Sequence, residues 1–253
     1  NSLIGNSGKN ILNGGLGDDT YGLGISATND TIVFDTGGND TVIVGASYSI
    51  ATRADLENIW LMTGTGLFNL VGNANANSLI GNDGKNTLNG GVGADFMVGG
   101  RGDDTFYVDN VGDITVDDLD RPDQEPAILE DPDLLPGGKD TVISSVSYAL
   151  SQYLDNLTLT NVATALNGTG NNLTNIIKGN SFNNILSGGA GADTLDGGAG
   201  NDSYYIDAAG DVIKDTSGID HVFSSLGFYT LGTGLENLTL IGPNPINGTG
   251  NTG

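Results

Sequence analysis

The residues that could do chemistry here are aspartates, and they recur at fixed steps. Asp193, Asp202, Asp211 and Asp220 follow one another at intervals of nine, and Asp95, Asp104 and Asp113 do the same. The next place in the second series, 122, holds Pro122, and Asp140 stands two further steps of nine along. Acidic residues number 31 against 8 Lys plus Arg, a net charge of −23, and 27 of the acids are Asp. So lopsided a balance excludes a nucleic-acid surface, whose phosphates need bases. It points instead to missing cations, because carboxylates crowded near the backbone repel one another unless something offsets them. Catalysis is a poor fit. Each Asp is repeated, whereas an active site needs one special place. Cysteine is absent, and the single His221 has no nucleophile-elbow sequence to serve. No catalytic residue is expected.

The elements that position these aspartates are short turns. Glycine fills 42 of 253 positions, without the every-third-residue pattern of collagen. Hexamers start at regular steps of nine at Gly170, Gly179, Gly188 and Gly197, reading GNNLTN, GNSFNN, GGAGAD and GGAGND. The same register runs from Gly72, Gly81, Gly90 and Gly99, and a shorter one from Gly5 and Gly14. IDAAGD (206–211) and DTSGID (215–220) keep the closing Asp after most glycines are gone. The eighth place of each nonamer is apolar: Leu12, Tyr21, Leu79, Leu88, Met97, Phe106, Ile177, Leu186, Leu195 and Tyr204. The module is therefore a six-residue turn followed by a three-residue strand with one side chain pointing inward.

A longer unit recurs three times, marked by Leu56-Glu57-Asn58, Leu154-Asp155-Asn156 and Leu235-Glu236-Asn237. We place its copies at 1–76, 77–174 and 175–253, the last including the start of a fourth, as one continuous solenoid, with an inserted proline-rich loop over 121–136 in the second copy. The first copy is the most worn, with Asp19, Asp30 and Asp40 unevenly spaced. Residues 149–155 could hold one helical turn. The three Asn of the Leu-x-Asn motif are read as turn residues that satisfy backbone, and His221 as a surface substitution in the place of Thr41 and Thr141. Arg101-Gly102-Asp103 spells an adhesion tripeptide, but Arg101 sits in the variable third place of a hexamer. No apolar run is long enough to span a membrane.

GGxGxDxUx nonamers in register resemble the RTX family, the calcium-binding repeats of secreted bacterial proteins. The resemblance implies an all-β fold, a right-handed parallel β-roll or β-solenoid, with two nonamers per turn. Hexamers two nonamers apart would then stack on one edge with calcium, Ca2+, between them. The implied metal ligands are Gly90, Gly91, Gly93 and Asp95; Gly99, Gly102 and Asp104; Asp113 and Asp140; Gly188, Gly189, Gly191 and Asp193; Gly197, Gly200 and Asp202; Asp211 and Asp220; and Asp19. Asn86 and Asn184 close hexamers where others carry Asp, and two readings stay open there: a weak carbonyl ligand, or an amide ladder without metal. About ten Ca2+ would bring roughly +20 against the −23. The family further implies secretion by a type I route to the extracellular space or cell surface, with folding on calcium binding. On that basis the chain serves as a structural or adhesive (adhesin-like) module, its partners calcium and either cell-surface polysaccharide or neighbouring protein copies. The alternative is an accessory module, for folding or carbohydrate contact, of a secreted polysaccharide-modifying enzyme.

Overall fold

The computed structural model describes residues 1–24, 30–35, 37–117, 138–162, 164–215 and 217–252. The proline-rich segment 121–136 lies outside them. Every paired strand among the described residues is parallel to its neighbour, and no helix occurs among them. The fold is an all-β parallel solenoid. Two compact halves divide at Asp140/Thr141.

In the first half, one face is built from Ser2–Ile4, Thr20–Gly24, Thr41–Val44, Asn58–Leu61, Ser78–Ile80, Phe96–Val98 and Ile114–Val116, in that order. The facing strands are Tyr48–Ser49, Asn69–Val71, Thr87–Asn89 and Thr105–Val108, with Ile11–Leu12 paired to Thr31–Ile32. The second half repeats the plan. Thr141–Ser144, Asn156–Leu159, Ile176–Lys178, Thr194–Asp196 and Val212–Lys214 form one face. Tyr148–Ala149, Asn167–Thr169, Ile185–Ser187, Ser203–Ile206, His221–Ser224 and Asn237–Leu240 form the other.

Register follows the nonamers where they are regular: Thr87 pairs with Thr105, Phe96 with Ser78 and Thr194 with Ile176, each pair two nonamers apart. In the parts without the glycine ladder the step changes. Thr141 pairs with Asn156 and Asn156 with Ile176, so one step is shorter than two nonamers and the next is longer. Turn length is free to vary because the strand triplet alone sets the register.

The core is a file of single side chains, one per triplet. Val142, Leu157, Ile177 and Leu195 stack in successive strands, as do Leu186, Tyr204 and Val222 on the facing side. All are fully buried, and so are nine of the ten eighth-place residues, with Leu12 at 7%. Each contributes roughly 1.5–3 kcal/mol of burial. Gly168 stands in the same file because a β-carbon there would press on Ile177, Leu157 and Leu186.

The one-turn helix expected at 149–155 is not formed. Leu154 N–H reaches Ser151 O at 3.4 Å in a tight turn, and Tyr153 takes a left-handed φ of 75°. Leu56, Leu154 and Leu235 bury their side chains, which anchors this corner in all three long repeats. The Asn that follows acts on backbone as expected: Asn58 and Asn237 donate to Asp40 O and Asp220 O at 3.0 and 3.2 Å. His221 pairs with Asn237 as Thr41 does with Asn58 and Thr141 with Asn156.

Candidate metal centres

Each closing Asp divides its two oxygens between two tasks. Oδ1 accepts the backbone N–H of the hexamer's closing residue one turn earlier. Asn77 donates to Asp95 at 2.8 Å, Asn86 to Asp104 at 2.6 Å, Asn175 to Asp193 at 2.8 Å and Asn184 to Asp202 at 2.6 Å. The ladder goes on through Asp95 to Asp113 (2.9 Å), Asp193 to Asp211 (3.1 Å) and Asp202 to Asp220 (2.8 Å). Asp104 donates to Asp140 at 2.7 Å across 36 residues of chain, so Asp140 takes the place that Pro122 vacates in the series. In the worn first repeat the same rung joins Asp19 to Asp40 at 2.8 Å, 21 residues apart, and Asn10 to Asp30 at 2.7 Å.

Oδ2 does something else. In Asp19, Asp95, Asp104, Asp193, Asp202 and Asp220 it is buried and has no hydrogen-bond partner. Those residues are at most 2% exposed. Leaving a carboxylate oxygen buried and unmet is costly, and the same feature stands at six equivalent places. A hard divalent cation that binds carboxylate oxygen fits this donor set.

The electrostatics agree. Burial pushes Asp95, Asp193 and Asp202 up to about 6 and Asp104 up to about 8, only partly offset by the backbone N–H each accepts. Asp40, Asp140 and Asp220 are also raised, again chiefly by burial, with neighbouring carboxylates adding to it. These are anions short of positive charge.

The glycines make room for this arrangement. First-place Gly90, Gly99, Gly188 and Gly197 lie under the carboxylates of Asp95, Asp104, Asp193 and Asp202, where a β-carbon would overlap the carboxylate. Second-place Gly91 and Gly189 and fourth-place Gly93, Gly102, Gly191 and Gly200 take positive φ and lie against the backbone of the stacked turn two nonamers earlier. Gly100 and Gly198 share that conformation, although the sequence reading did not single them out.

Asn86 and Asn184 spend their amides within the protein. Their Oδ1 atoms accept Asn82 N–H and Asn180 N–H at 2.7 and 2.8 Å. Asn184 Nδ2 donates to Leu166 O at 2.7 Å and to Asn180 Oδ1 at 3.0 Å, and Asn86 Nδ2 to Gly66 O at 3.3 Å. Asp113 and Asp211 also use both oxygens, Oδ2 accepting from Asp109 and Asn110 in one case and from Asp207 and Ala208 in the other.

Three residues escaped the sequence reading: Asp35, Asp117 and Asp215. Each joins two closing aspartates, giving the groups Asp19/Asp35/Asp40, Asp104/Asp117/Asp140 and Asp202/Asp215/Asp220, whose ligand oxygens lie within 4.8 Å of one another. Two oxygens bound to one Ca2+ can be at most about 5.2 Å apart, so each group could share an ion. The signal was present in the sequence, since each of the three opens a hexamer, in the place that glycine holds elsewhere. The ladder's far end was also unread: the backbone N–H groups of Asp40 and Asp220 donate to Glu57 Oε2 and Glu236 Oε2 at 2.8 and 2.7 Å.

Among known families, the RTX calcium-binding nonapeptide repeat (4 copies) matches residues 1–24, 71–106 and 169–204. No curated protein and no solved structure matches the chain.

Proposed function

We propose that this chain, which carries RTX calcium-binding nonapeptide repeats, is a calcium-folded structural module of a secreted bacterial protein. The buried, unmet Oδ2 atoms of Asp19, Asp95, Asp104, Asp193, Asp202 and Asp220 carry the reading. With the glycine turns beside them, these residues would hold the ions, and Asp40, Asp140, Asp113 and Asp211 would supply the adjoining rungs. Bound calcium supplies positive charge that offsets carboxylate repulsion. Without it the file of single buried side chains must hold the turns against that repulsion and against glycine's conformational entropy. The reading extends to a low-calcium interior where the chain stays unfolded, type I export, and folding outside, where the module serves in structure or adhesion.

The test is far-UV circular dichroism of the chelated protein titrated with calcium, with magnesium as control. A cooperative coil-to-β transition with calcium alone is expected. A full β signal in excess chelator would sink the calcium-folding reading.

The accessory, carbohydrate-contacting role draws on a different feature. An open cleft of about 650 Å³ in the second half is lined by Thr158, Leu159, Asn161, Lys178, Ala199 and Asp196, a mixed apolar and polar set of the kind that can meet a sugar ring. Its check is chemical-shift change at these residues on adding acidic and neutral oligosaccharides.

A further inference from the structure

Two kinds of aspartate place exist in this ladder. In the first kind, the carboxylates that follow Asp95 and Asp193 are Asp113 and Asp211, and both oxygens of each already hold backbone N–H groups. In the second, Asp104 and Asp202 are followed by hexamers that open with Asp, at Asp117 and Asp215, and Asp19 is followed by one opening at Asp35. The described residues of the three turns share one bond. At the fifth place Asn39 N–H donates to Asp18 Oδ1 at 2.8 Å, Lys139 N–H to Asp103 Oδ1 at 2.8 Å and Ile219 N–H to Asn201 Oδ1 at 3.0 Å. The arrangement occurs once in each long repeat.

The independent sign of a ligand is the unmet oxygen. Oδ2 of Asp19, Asp104 and Asp202 is buried, partnerless and held over the first-place glycine of its own turn. At Gly14 and Gly197 the same space is bordered by the hydroxyls of Tyr21 and Tyr204, which donate to Asp35 and Asp215. The tyrosine thus brings the opening carboxylate to the free oxygen. In the second repeat Phe106 stands at the tyrosine's place, and the carboxylates of Asp117 and Asp140 come together without it. Asp35, Asp40, Asp117, Asp140, Asp215 and Asp220 all lie outside the segments that match the nonapeptide family.

We propose that the groups Asp19/Asp35/Asp40, Asp104/Asp117/Asp140 and Asp202/Asp215/Asp220 are a second class of cation site, one per long repeat, set apart by a third carboxylate. The inference rests on the calcium reading above and divides its sites. Three carboxylates around one ion raise affinity for calcium and favour trivalent ions of similar size over divalent ones, because ligand charge count tunes such sites. These sites fill first, about tenfold or more tighter than the Asp95/Asp113 and Asp193/Asp211 places.

The experiment uses the full chain, calcium calorimetry and tyrosine-sensitised terbium emission. The unsubstituted protein is expected to show three tight calcium sites before a weaker class. Asp35→Asn, Asp117→Asn and Asp215→Asn should each remove one tight site while the β signal in excess calcium persists. Asp35→Asn and Asp215→Asn should also take away much of the early terbium emission, and Asp117→Asn little, because Phe106 replaces the tyrosine there. A single class of calcium sites in the unsubstituted protein overturns the proposal without any variant. So does a tight class that the three substitutions leave unchanged, and in either case the nonapeptide reading stands. No saturable calcium binding at all overturns both.

Discussion

Asn184→Asp separates an amide staple from a metal ligand with one atom exchanged. Asn184 is 1% exposed and sits in a closed set of bonds. Its Oδ1 accepts Asn180 N–H at 2.8 Å, and aspartate preserves that bond. Its Nδ2 donates at 2.7 Å to Leu166 O and at 3.0 Å to Asn180 Oδ1, and aspartate turns both into oxygen facing oxygen. Losing a buried donor costs about 1–3 kcal/mol, and a new buried charge beside Asp202 adds to it, so a net loss of about 2–4 kcal/mol is expected. Asn86→Asp should cost less, because its Nδ2 bond to Gly66 O is longer, at 3.3 Å. The assay is the denaturation midpoint at constant m-value in excess calcium, with calcium counted by calorimetry. If Asn184→Asp were as stable as the parent in calcium and bound one more ion, the staple argument would be wrong and the closing Asn would be a ligand place.

Gly189→Ala should destabilise by about 2 kcal/mol or more, since φ is +79° and the new β-carbon meets Asn171 O, whereas Gly227→Ala, with open space around it, should change the midpoint little; equal midpoints for the two variants would count against the tight turn. Acidification should favour the folded form of the calcium-free chain. Asp95, Asp193 and Asp202 at about 6 and Asp104 at about 8 lie above the unfolded carboxylate value, so their contribution is fully present below about pH 4 and is lost as pH rises through about 8. With saturating calcium the dependence should reverse, because protons compete for the same oxygens; a far-UV β signal of the calcium-depleted chain that stays flat or falls from pH 8 to pH 4 would contradict this.

Much of the fold could be read from the chain because the period is short and the signal is local. One apolar residue in nine must point inward, and Leu88, Met97, Leu186 and Leu195 all do. The closing aspartates were legible for the same reason. What escaped is what depends on two turns at once. Asp35, Asp117 and Asp215 look like worn glycines when a hexamer is read alone, and become ligand candidates only when set beside Asp19, Asp104 and Asp202 a turn earlier. Glu57 and Glu236 were read as part of a Leu-x-Asn corner, and their role at the end of the carboxylate ladder appears only across 16 or 17 residues. The wrongly expected helical turn at 149–155 has a local cause too: Ala149-Leu150-Ser151-Gln152 has helical propensity, but so short a stretch cannot outweigh the pull of buried Leu150 and Leu154.

The rung between Asp104 and Asp140 has a practical consequence. A hexamer is entered at Asp117 and completed by Gly138, Lys139 and Asp140, with a stretch of foreign composition between 117 and 138. The same carboxylate-to-amide bond closes at separations of 18, 21 and 36 residues, so distance along the chain does not decide which turns meet. A search for such arrays that insists on fixed spacing would pass over Asp140, whereas one that follows rungs from turn to turn would keep it in the count.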